Sequence, residues 1–125
     1  MPTPPEQLRA RTKLLTILIV RLFRSLPKND QTRIMGEQVL RAGTSVAANH
    51  RAVCRARSRA EFVSKMGVVV EEAAERAFWL EVLIERGIVP RVRMENLPAE
   101  AHELWAIFAA SYWTARAGGR SGKGQ

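Results

Sequence analysis

A chain of 125 residues with 46% hydrophobic and 26% charged residues has the balance of one globular domain, long enough to bury roughly two-thirds of its unfolded surface without disulfides. A single cysteine, Cys54, excludes an internal bridge, and the longest apolar run, Leu14 to Phe23, is interrupted by Thr16 and Arg21 and falls short of the ~20 residues a bilayer crossing needs. The net charge of +8 is unevenly spread: Gln7 to Lys65 carries thirteen basic residues against Asp30, Glu37 and Glu61, whereas Met66 to Glu103 carries four arginines against eight glutamates. Such asymmetry points to a polyanionic partner, to head-to-tail association of basic and acidic surfaces, or to both.

The uncharged start Met1-Pro-Thr-Pro-Pro5 and the lack of a small-residue cleavage site argue against a signal peptide, and one unpaired cysteine fits a reducing compartment. The expectation is a mature cytoplasmic protein with no membrane segment. Scarce aromatic strand formers and abundant Ala, Leu, Arg and Glu favour helix.

The first helix is expected from Pro5 to about Ser25, with Leu8, Leu15, Leu18, Ile19, Leu22 and Leu26 on one core face and Pro27 and Asn29 in the turn. Leu14, Ile17 and Val20 point elsewhere, which implies a second apolar contact. A second helix starts at Asn29 or Asp30 and runs to roughly Ala56, through Gly36 and Gly43. Each interior glycine costs about 1 kcal/mol relative to alanine. Because Gly36, Gly43, Ala47 and Cys54 share a stripe, the glycines are expected to permit close helix approach.

A capping box, Ser58-Arg-Ala-Glu61, opens the third helix, which closes at Gly87. Its core stripe is Phe62, Met66, Val69, Val70, Ala73, Ala77, Leu80 and Ile84, while Val68, Trp79 and Val82 lie among glutamates on the other side. A turn from Pro90 to Asn96 precedes the fourth helix, with Pro98 in its first turn and Ala101, Leu104, Phe108, Tyr112 and Ala115 inward. The expected fold is all-α: an up-down-up-down four-helix bundle over residues 1–117, with a disordered basic Gly-rich tail at 118–125. The off-core Leu14, Ile17, Val20, Val68, Trp79 and Val82 are expected to form an interface of a symmetric homo-oligomer.

The most specific chemical pattern lies on the second helix, where Arg33, Arg41, Arg51 and Arg55 fall within ~80° of one another at 100° per residue. Arg57 and Arg59 continue this ridge into the next turn, and Lys65 can reach it. Guanidinium forks match phosphate oxygens in pairs, so a sugar-phosphate backbone is one candidate ligand. A solvated face, or one paired with glutamates of a neighbouring subunit, is the other. No motif here reads bases, so binding would be electrostatic and steeply salt-dependent.

Catalytic and metal-binding patterns are weak. His50 and Cys54 have metal-ligand spacing, but a third and fourth ligand are wanting, and both are expected to pack in the small-residue stripe. Glu71, Glu72 and Glu75 are not accompanied by the repeated Glu-x-x-His motif of di-iron bundles. Asn49 reads as a buried hydrogen-bonding residue that fixes helix register. Trp79 and Trp113 are expected at a subunit contact. The chain is therefore expected to be non-enzymatic, without cofactor or metal.

The stretch from Gln38 to Leu83, with Gln38-x-x-Arg41-Ala42-x-x-Ser45-Val46-x-x-Asn49, then a basic run, Ser58 and Glu61-Phe62, resembles the family of four-helix bundle proteins. That family includes proteins encoded within intervening sequences of bacterial large-subunit ribosomal RNA. Many members continue after the asparagine with an apolar residue and Ala-Glu-Gly, whereas this chain has His50, Arg51, Ala52 and Val53 and looks closer to a subgroup with an arginine-rich run. A more distant resemblance is to accessory subunits of diversity-generating retroelements. It implies a barrel-like homopentamer whose basic surface engages a reverse transcriptase and nucleic acid. The expected function is that of a homo-oligomeric accessory protein that contacts RNA or DNA phosphates and supports a ribonucleoprotein or reverse transcriptase. The alternative is a protein-interaction scaffold whose basic and acidic faces pair between subunits, with no nucleic-acid role.

Overall fold

The computed structural model describes residues 1, 3–89 and 96–123, with side chains through 118. It comprises α1 (Pro4–Ser25), α2 (Asp30–Cys54), α3 (Arg59–Glu85) and α4 (Leu97–Lys123). No strand occurs among the described residues. Most of the turn expected from Pro90 to Asn96 lies outside them.

Local chemistry sets the helix starts. The Thr3 hydroxyl accepts from the Glu6 N–H at 3.3 Å while the Glu6 carboxylate accepts from the Thr3 N–H at 2.9 Å, a reciprocal cap followed by two prolines where no N–H is needed. Leu26 then turns extended ahead of Pro27, as a residue before proline prefers. Asn29 caps α2 through the Thr32 N–H at 2.9 Å. Ser58 caps α3 through the Glu61 N–H at 3.0 Å, but the Glu61 carboxylate turns to the Arg57 N–H at 3.5 Å. Beyond α3, Gly87 takes a positive φ of 69°, and the Ile88 N–H folds back to the Leu83 carbonyl at 3.0 Å. This turn stops the helix where a side chain would be strained.

One hydrophobic cluster joins all four helices, with Leu15, Ile19, Val46, Val69, Leu80, Leu104 and Phe108 among its fully buried members. Packing is extensive between α1 and α2, α2 and α3, and α3 and α4, and lighter between α1 and α4. The α2 glycines sit where helices come closest. A Cβ on Gly36 would stand 2.7 Å from Leu26 Cδ1, and one on Gly43 would stand 3.1 Å from Ile19 Cδ1. Gly67 meets Tyr112 of α4 in the same way, at 3.2 Å.

Several expectations shift. Leu18 is only half-buried, and Thr12 is buried instead, its hydroxyl donating to the Leu8 carbonyl at 2.8 Å. Trp79 and Val82, read as interface residues, pack against the core cluster of their own chain. Phe78, their neighbour, is exposed. Helix α4 runs past Ala117 to Lys123, since an established helix gains one hydrogen bond per added residue even where glycine weakens it.

Candidate nucleic-acid interface

The arginine ridge of α2 divides into two halves of different chemistry. Near the start of the helix, Arg33 lies 3.4 Å from Asp30 and 3.6 Å from Glu37. About two turns further on, Arg41 crosses to α3 and bonds Glu72 at 3.2 Å and Glu75 at 2.5 Å. The Glu75 carboxylate, and then Glu72, hold this guanidinium above its ordinary pKa. Arg41 is thus paired within its own chain, to the acidic flank of α3.

At the other end of α2 the arginines have no such partners. Arg51, Arg55, Arg57 and Arg59 are exposed, Lys65 is half-buried, and none makes an ion pair with a carboxylate among the described residues. Arg59 lies over Gly118 of α4, its Nη1 3.1 Å from where a Cβ would stand. The seven basic residues expected to act together are therefore not equivalent. Arg33 and Arg41 are locally neutralised, whereas the last turn of α2 and the turn into α3 carry uncompensated positive charge.

The structure adds two cations that the sequence pattern did not place there. Arg9 and Lys13, one turn apart on α1, border a hollow of about 460 Å³ with Ile17, Ala47, His50 and Arg51. No carboxylate lines it. The i, i+4 spacing of Arg9 and Lys13 is plain in the sequence, but which neighbouring helix they face is a property of packing. His50 forms the inner wall. It is buried and its ring stacks at 5.2 Å on Phe108. Burial, and secondarily the charge of Arg9, push its pKa below the ordinary value, so the imidazole is neutral at pH 7. A second hollow of about 680 Å³ shares Arg9 and His50 with the first and is lined further by Pro4, Leu8, Arg11, Cys54, Phe62 and Ile107 among others. Cys54, expected to pack in the small-residue stripe, is exposed. Cys54 is the last residue of α2 and opens onto this second hollow.

Asn49 does not tie helices together. Its amide donates to the Ser45 carbonyl at 2.9 Å and to the Ser45 hydroxyl at 3.1 Å, both one turn back on α2. On α4, Trp113 is exposed, with Tyr112 edge-on at 5.3 Å and the Arg116 guanidinium 5.4 Å above its ring. Among the described residues, no group of three or more His, Cys, Asp or Glu side chains could hold a metal ion, and no helix is long and apolar enough to cross a membrane.

Arg76 escaped the sequence reading altogether. It sits in the core arc of α3 with 0% exposure, and its Nε and both Nη atoms lack hydrogen-bond partners. Burial pushes its pKa down to about 10 against a partial pull from Glu100. Glu100 itself is engaged by Arg11 of α1, at 2.5 Å and 3.0 Å, and Glu103 joins the same guanidinium at 3.0 Å. This cluster closes the α1–α4 seam. His102 of α4 pairs with Glu81 of α3.

The model of the 23S rRNA-intervening sequence proteins matches residues 7–110. A crystal structure of a protein of unknown function from the S23 ribosomal protein family of Bacteroides thetaiotaomicron VPI-5482 is similar, with a TM-score of 0.76 and 30% identity over 84% of this chain and 97% of that one. No curated protein matches the sequence.

Proposed function

The chain belongs to the 23S rRNA-intervening sequence protein family, and from that premise we propose that it is a non-enzymatic accessory protein that binds RNA or DNA through phosphate contacts. The observation that carries this reading is the unpaired positive charge around the end of α2, where Arg51 shares a hollow with Arg9 and Lys13 of α1, and Arg55, Arg57 and Arg59 follow without ion pairs, while Arg33 and Arg41 are held by carboxylates. Exposed guanidinium groups that make no ion pair keep their donors free for phosphate. In this reading the helices run up-down-up-down, and copies assemble into a symmetric homo-oligomer in the cytoplasm. The family resemblance implies a pentamer and a ribonucleoprotein or reverse transcriptase as the partner served. Repeating a weak phosphate contact around a ring would raise affinity by avidity.

The alternative, a scaffold whose basic and acidic faces pair between copies, is favoured by the dress of α1 and α3. The outer side of α1 exposes Leu14 and Ile17 with Lys13, Arg21 and Arg24. The outer side of α3 exposes Val68 and Phe78 with Glu71 and Glu85.

Charge reversal separates the two. With Arg51, Arg55 and Arg59 changed to Glu, binding to structured RNA and duplex DNA across a salt series should be lost while the mass by light scattering stays the same. A triple variant that falls apart would favour the scaffold, and one that binds as before would refute this site. Binding by the native protein should fall steeply with salt, because each neutralised phosphate releases counterions.

A further inference from the structure

We propose that the hollow between α1 and α2 bounded by Arg9, Lys13, Arg51 and His50 receives an unpaired nucleotide of the bound strand, so that the protein prefers single-stranded over duplex nucleic acid. This rests on the phosphate-binding reading above and names the form of nucleic acid that the site selects.

Three observations combine. The hollow is concave and about 460 Å³, within the ~300–1,000 Å³ typical of clefts that hold small molecules. Its cations come from two helices, Arg9 and Lys13 from α1 and Arg51 from α2, with no carboxylate between them. They therefore border one concave hollow rather than tracking a single helix face. The remaining wall is uncharged: Thr12, Thr16, Ile17, Ala47 and the imidazole of His50, which burial keeps neutral. A ligand that suits this lining has an anionic group joined to a flat, weakly polar body.

A nucleotide turned out of its stack has that form. A duplex does not, because its phosphates lie on a convex outer surface and its bases are stacked and paired within. Unpaired strands can splay a base into a pocket at little cost, and this is how single-stranded segments are commonly recognised. Duplex would still be attracted by the exposed Arg55, Arg57 and Arg59, through backbone charge alone.

The test compares a short single-stranded RNA with a blunt duplex of the same sequence, by fluorescence anisotropy at low salt, on the full chain. The native protein should bind the single strand about tenfold more tightly, the scale of one accommodated base. Ala47→Phe fills the hollow without changing charge, and should erase the preference while leaving duplex affinity unchanged. Ala47 is half-buried, so the Arg9→Gln/Lys13→Gln double variant, confined to exposed positions, provides an independent check. It should weaken single-strand binding more than duplex binding. Equal affinity of the native protein for the two forms, or a preference that survives both variants, would overturn the proposal while leaving phosphate binding intact. Failure of both probes to bind at low salt would instead overturn the phosphate-binding reading, and this proposal with it.

Discussion

At the scale of single residues, the least expected group is Arg76. A guanidinium with three unpartnered nitrogens inside a packed bundle bears a desolvation penalty that no ion pair offsets. Its pKa of about 10 keeps it charged at neutral pH. Since the folded value lies below that of an ordinary guanidinium, the unfolded chain holds a proton from about pH 10 up to the ordinary arginine range that the folded chain has released. Stability contributed by this group therefore rises with pH across that window, and the penalty is fully present below it. Arg76→Met keeps most of the side-chain volume and removes the charge. It is expected to stabilise the fold by about 1–4 kcal/mol in urea unfolding at neutral pH. A loss of stability would mean that the guanidinium has found a partner in solution. The residue lay in plain view within the stripe of Val69, Ala73 and Leu80. Helical periodicity marks which positions face inward, but it does not say that an inward arginine will be left without a partner.

At the scale of helices, the sequence was most informative where a local rule has one outcome. Asn29, Ser58 and Gly87 mark the ends of α2 and α3 because each residue type satisfies or stops the backbone in its own way. The close approach permitted by Gly36 and Gly43 was readable for the same reason. Gly43→Leu should lower stability by about 1–3 kcal/mol, read from the midpoint of urea unfolding, because the new side chain must displace Ile19, which lies 3.1 Å from the Cβ position. An unchanged midpoint would show that α1 can shift away from α2 freely. Less was legible where the outcome depends on a neighbour. Trp79 was read as outward because its angle on the helix is outward, yet the indole folds against the core and leaves Phe78 exposed. Arg41 was read with the other arginines because it shares their face, yet the register of α3 brings Glu72 and Glu75 to meet it.

For the whole molecule, the charge asymmetry of the sequence becomes a spatial one. Half the candidate site was legible, since the run from Arg51 to Arg59 is contiguous and needs only a helix end to expose it. The other half, Arg9 and Lys13, lies some forty residues away in the chain and joins it only through the packing of α1 on α2. The outer faces of α1 and α3 carry opposite charge around exposed apolar residues, which suits contact between copies. Leu14→Asp, on the basic face and outside the hollow, would set an acid against the acids of the partner's α3 and bury it among Val68 and Phe78. It is expected to reduce the mass in light scattering while leaving the helical content in circular dichroism unchanged. An assembly of native mass in the variant would rule out this face as the contact.

The order in which the chain is made gives the α1–α4 seam a particular standing. Each of the three broadest contacts joins helices that follow one another in the sequence, so α1, α2 and α3 can pack as they leave the ribosome. The bonds from Arg11 to Glu100 and Glu103 must wait for α4, the last of these four helices to emerge. Until then the apolar faces of the first three helices stay open along one side, and Arg11 has no counter-ion. Closure of the bundle thus waits until α4 has been made, and the nascent chain is most vulnerable to aggregation and proteolysis in the interval before Leu104 and Phe108 arrive.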